Sequence, residues 1–107
     1  GLAWNRMVRD YIRGNRDLMA EALDEVEAVE MTAPAGTYLA WLDCSGLDLG
    51  DMAPARFFRR EPGVAMNPGA AFGRGYERFC RLNLATGRGI AARIAQRLVE
   101  AIRVPRA

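Results

Sequence analysis

An arginine set inside an apolar strand is the residue of this sequence whose type and setting most invite chemistry. Residues 78–86 read RFCRLNLAT, a short apolar run ending just before Gly87. It reads as a strand from Phe79 to Ala85. Side chains alternate across a sheet, so Phe79, Arg81, Asn83 and Ala85 share one face, and Cys80, Leu82 and Leu84 share the other. The second set is a core surface. The first set places a guanidinium on a rigid element between apolar neighbours, which suits the wall of a cleft. Such a fork grips a carboxylate through two parallel N–H···O bonds. A solvated sheet face or a structural ion pair would use the same residues, and at this level both readings stand.

Other candidates for chemistry give less. The stretch NPGAAFGRGYERF (67–79) carries glycines without a GK[ST] motif and without a helix start behind them. Its backbone amides are therefore not aimed at a phosphate. The glycines instead permit a tight, close-approaching loop, with Phe72 at its tip as a core or cleft-lining aromatic. Asp24, Glu25, Glu27 and Glu30 read as a solvated acidic face, because no histidine accompanies them. The chain has neither histidine nor lysine, so it lacks the commonest general base and metal ligand and cannot form a Schiff base. Cys44 and Cys80 lie in apolar runs without CxxC spacing and are read as buried, reduced thiols of a cytoplasmic protein.

The elements that must position these residues follow from periodicity. Apolar residues at helical spacing run from Leu2 to about Val29, with Gly14-Asn15 as a point where the helix can bend or break. A strand is predicted over Thr37–Asp43, and a short helix over Ala53–Arg60 with Asp51 as a cap. A short strand over Val64–Met66 is halted by Asn67-Pro68-Gly69, and a last helix over Arg88–Ile102 is capped by Thr86. The fold class is α/β with an α+β character: a three-stranded sheet, its last two strands antiparallel, packed against a long N-terminal helix, a short helix and a C-terminal helix. One domain spans residues 1–107. No apolar run reaches membrane-spanning length. Fifteen arginines scattered among thirteen acids leave a net charge of +2 and no basic stripe, so nucleic acid is not an expected partner.

Three motifs in order, GTYLAWLD (36–43), VAMNPGAAFG (64–73) and RFCRLNLAT (78–86), resemble the C-terminal small domain of fold-type I pyridoxal-phosphate enzymes. These are the class I/II aminotransferases, and the likeness is strongest to their cystathionine β-lyase branch. The resemblance implies that Arg81 binds the α-carboxylate of an amino-acid substrate. It counts Asn83, Gly36, Tyr38 and Phe72 with Arg81 among the substrate-binding residues, with Gly36, Tyr38 and Phe72 near the mouth of the active site. It further implies that the cofactor, its lysine and the rest of the site belong to a large domain of the same chain preceding Gly1. This piece would then bind no pyridoxal phosphate and turn nothing over alone, whereas the complete enzyme would be a cytoplasmic homodimer. A stand-alone carboxylate-binding domain and a protein-interaction module are the alternatives. Transamination and β-elimination share the same anchor and are not separated at this level.

Overall fold

A computed structural model of the chain describes residues 1–34 and 37–104. Helix α1 runs Leu2–Leu23, followed by β1 (Glu30–Thr32), β2 (Leu39–Asp43), α2 (Pro54–Arg60), β3 (Asn67–Pro68), a 3₁₀ turn (Gly69–Phe72), β4 (Phe79–Asn83) and α3 (Arg88–Arg103). The strands form one antiparallel sheet in the order β1-β2-β4-β3. Four strands, not three, make the sheet. The extra strand, β1, pairs Met31 with Leu42 and lies in a stretch read from sequence as part of the acidic helix tail. The helix stops earlier than its periodicity suggested. After Leu23 the chain turns so that Val26 and Val29 are buried while Asp24, Glu25 and Glu27 stay exposed. Acids at a helix C-terminus also oppose its dipole.

Other boundaries shift for local reasons. Val64–Met66 is not a strand. The pairing falls on Asn67 and Pro68, and Pro68 lacks the N–H needed to continue it, which suits an edge. Helix α2 starts at Pro54, whose ring presets the first helical turn, and Asp51 makes no capping bond. Gly87, not Thr86, precedes α3. The Thr86 backbone is already committed, its N–H to the Leu84 carbonyl and its own carbonyl to Asn15.

The core lies between the helices and the inner sheet face. Ala40, Leu42, Cys80, Leu82 and Leu84 meet Met19, Leu23, Phe57, Phe58 and Leu98, all buried. Removing a side chain as large as Leu or Phe from water is worth about 1.5–3 kcal/mol, so this layer holds the sheet against the helices. Gly14-Asn15 does not break α1. Asn15 is fully buried, and its amide nitrogen donates to the Leu84 and Thr86 carbonyls, each at 2.8 Å. Its Oδ1 accepts from Arg88 Nε at 2.5 Å. Arg88 also donates from Nη2 to the Tyr11 carbonyl at 2.8 Å and from its backbone N–H to the Tyr11 hydroxyl. The Arg88 guanidinium lies so close over Gly14 that a Cβ there would have to push it aside. One amide thus fastens α1 to the exit of β4 and the entry of α3.

Cys44 and Cys80 are free and buried, with their sulfurs 3.9 Å apart. The hydrogen-bonded Cys80 thiol, and then burial, push the Cys44 thiol far above its ordinary value of 9.0. Asn15→Ala removes two amide hydrogen bonds and the acceptor of Arg88 Nε at a fully buried position, and should cost about 2–3 kcal/mol in urea unfolding. Cys44 gives a second prediction. Its thiol stays protonated in the fold but ionises in the unfolded chain, so its contribution is complete below about pH 9 and is lost as pH rises beyond. Between about pH 8 and about pH 10.5 the wild-type Tm should fall further than that of Cys44→Ala.

Candidate functional site

Strand β4 is interior to the sheet and two-faced: Cys80 and Leu82 are buried, whereas Phe79, Arg81 and Asn83 look the other way and are more accessible. The alternation read from sequence holds. Arg81 lies directly between Trp41 of β2 and Asn67 of β3 in the strand register. Its guanidinium carbon sits 4.5 Å from the centre of the Phe72 ring, a cation–π contact. Nη2 is 3.4 Å from Asn67 Oδ1, a long hydrogen bond. Nε is buried and has no hydrogen-bond partner among the described residues. No ion pair of the described residues involves Arg81.

An aromatic group braces this arrangement. Trp41 meets Phe72 edge-on at 5.1 Å and lies 5.8 Å from Tyr76 and 6.3 Å from Phe79. The loop that carries Phe72 folds tightly over the start of β4. A Cβ on Gly69 would run into the carbonyl oxygens of Tyr76 and Phe79, so a glycine is needed for that approach. The expectation of a close-approaching glycine loop is met, and Phe72 is a partly exposed ring against Arg81 rather than a core residue.

The remaining predicted site residues fall less neatly. Asn83 is exposed, and its Oδ1 accepts the Ala85 N–H at 2.7 Å, which shapes the turn after β4. Tyr38 is half-exposed at the bend before β2, and no hydrogen bond or ring contact of its side chain links it to Arg81. Gly36, expected near the mouth of the site, lies outside the described residues. Trp41 and Asn67, the two neighbours that flank Arg81, were not singled out from sequence. Alternation within GTYLAWLD puts Trp41 in phase with Leu39, but only the register sets it beside Arg81.

The wall is open. The apolar groove of about 520 Å³ lies elsewhere, between the first half of α1 (Trp4, Met7, Tyr11) and residues 85–87, and does not include Arg81. Among the described residues no group of three or more His, Cys, Asp or Glu could hold a metal, and no helix is long and apolar enough to cross a membrane. Asp24, Glu25, Glu27 and Glu30 are exposed, and Glu25 makes a surface pair with Arg103 at 3.5 Å.

No family model matches the chain. Individual proteins do. The cystathionine beta-lyase of Corynebacterium glutamicum is 42% identical over 77 residues, covering 72% of this chain and 20% of that protein. Protein MalY of Escherichia coli K12 is 30% identical over 107 residues, covering 99% of this chain and 27% of MalY. The solved structure of the PLP-bound C-S lyase from Staphylococcus hominis superimposes with a TM-score of 0.85 at 27% identity, covering 95% of this chain and 28% of that one. The chain therefore spans about a quarter of the length of the proteins it matches. Because Phe72 and Asn67 are the groups that orient the Arg81 guanidinium, Phe72→Leu should leave the fold intact. It should also broaden the Arg81 Nε–H resonance and raise its solvent exchange by about tenfold, measured by ¹⁵N NMR, since cation–π contacts of this kind are worth about 0.5–2 kcal/mol.

Proposed function

Since the chain belongs to the family of pyridoxal-phosphate-dependent cystathionine β-lyases and aminotransferases, we propose that it is the substrate-binding small domain of such an enzyme. In this reading, residues 1–107 form one domain of a longer polypeptide. Arg81 anchors the α-carboxylate of the amino-acid substrate. The observation that carries it is the state of the Arg81 guanidinium. It is mounted on an interior strand and faces away from the helices. It is held by an aromatic ring and one long bond, and its Nε has no partner among the described residues. An arginine in a structural ion pair would look different: its fork would already be closed on an acid. A buried donor left unmatched costs free energy, and an incoming carboxylate can recover that cost.

The residues of this chain do not fit the cofactor itself. The sequence contains no lysine to bond it covalently, and the open wall around Arg81 presents a fork for one carboxylate rather than a cradle for a phosphate and a ring. The cofactor would supply the electron sink for reaction at the substrate's α-carbon from elsewhere in the complete enzyme. The task of this chain is positional. Arg81 fixes one end of the substrate, and the aromatic group of Trp41, Phe72 and Tyr76 braces that contact. Phe72 and Asn67 keep the guanidinium plane in one orientation, and Asn83 shapes the strand exit beside it. Homodimerisation of the complete enzyme, the placement of Tyr38 and Gly36 at the mouth of the site, and action on C–S bonds or by amino transfer belong to the same proposal.

In the complete enzyme, Arg81→Ala should raise KM for the amino acid and lower kcat/KM by about 10²-fold, equivalent to about 2.7 kcal/mol. Arg81→Lys should recover only part, because a point charge replaces a fork. Unchanged kinetics in Arg81→Ala would remove the anchor. The chain alone, mixed with pyridoxal phosphate, should yield no stoichiometric adduct that reduction makes permanent.

A further inference from the structure

We propose that Asn67 stands in for the ligand's carboxylate on the Arg81 fork, holding the guanidinium in register until an acid displaces it. The inference rests on the anchor reading and adds a residue to it. Nε–H and one Nη2–H project from the same side of the planar guanidinium, so a carboxylate can take both with its two oxygens. Asn67 offers a single amide oxygen. That oxygen reaches Nη2 at 3.4 Å, and Nε stays unmatched although buried. The fork is thus half-used by a group of the right polarity and half the valence.

The fold explains why Asn67 is the residue in that place. It is the register partner of Arg81 across β3 and β4, so the two side chains rise side by side from the sheet. Pro68 behind it restricts its backbone to an extended conformation and fixes the direction of approach. Strand β3 is an exposed two-residue edge, so the Asn67 amide can turn into water without leaving an unsatisfied buried group. The long bond makes that release inexpensive. Phe72 keeps the guanidinium plane in place while the amide departs. An aspartate at position 67 would differ in one respect that matters: its second oxygen can complete the fork, so the site would carry its own competitor permanently.

Asn67→Asp, Asn67→Ala and Arg81→Ala variants of the 107-residue chain decide the matter by ¹⁵N NMR, with sodium acetate and L-alanine as probes and binding read in every variant from the backbone amides of β4. In Asn67→Asp the introduced carboxyl should titrate at least one unit below the usual aspartate value of about 3.9. Acetate and L-alanine should then bind at least tenfold more weakly than to the wild type. Asn67→Ala should bind L-alanine no more than threefold more weakly than wild type, or more tightly. An ordinary titration of the introduced carboxyl overturns the proposal, and it needs no ligand to be read. Wild-type affinity in Asn67→Asp, or a larger loss in Asn67→Ala, overturns it too. Arg81→Ala separates the two levels. Undiminished ligand binding there removes the anchor itself, whereas loss there with binding retained in Asn67→Asp removes only the role of Asn67.

Discussion

Everything in this molecule depends on β4 having two unlike faces. One face, Cys80 and Leu82 continued by Leu84, is sealed beneath the helices. That burial commits the strand to one phase, because a slip of a single residue would drive Arg81 into the core and expose the leucines. The same commitment turns Arg81 outward between Trp41 and Asn67. Hydrophobic burial on one side therefore determines the orientation of a charged group on the other, with no dedicated contact needed to aim it.

The helices protect that phase. The Asn15 amide binds the two carbonyls at the exit of β4, and Arg88, lying over Gly14, closes the network onto α1 and α3. A buried polar group fully matched in this way specifies one arrangement, since sliding α1 would strand several donors and acceptors together. The sulfur atoms of Cys44 and Cys80 fill the core on the same side, and the raised Cys44 thiol keeps that sulfur a packing atom rather than a nucleophile.

Much of this was legible in the sequence where the cause is local. The period-two pattern of residues 79–85 was enough to separate the Arg81 face from the core face. The GAAF segment and its glycines were enough to expect a tight loop bearing an aromatic. What escaped depends on partners far along the chain. Glu30–Thr32 has three residues and two exposed side chains, and only its pairing with β2 makes it a strand. Gly14-Asn15 has the composition of a helix break, and its meaning comes from Leu84, Thr86 and Arg88, some seventy residues away. Asn67 looks like a turn residue until the register sets it across from Arg81, and Trp41 looks like ordinary strand hydrophobicity for the same reason.

A structure of the complete enzyme with a bound amino acid would test the assignment most directly. The carboxylate oxygens should lie about 2.7–2.9 Å from Arg81 Nε and Nη2, with the Asn67 amide turned away. A substrate carboxylate held by other groups, with Arg81 still stacked on Phe72 and bonded to Asn67 alone, would contradict it.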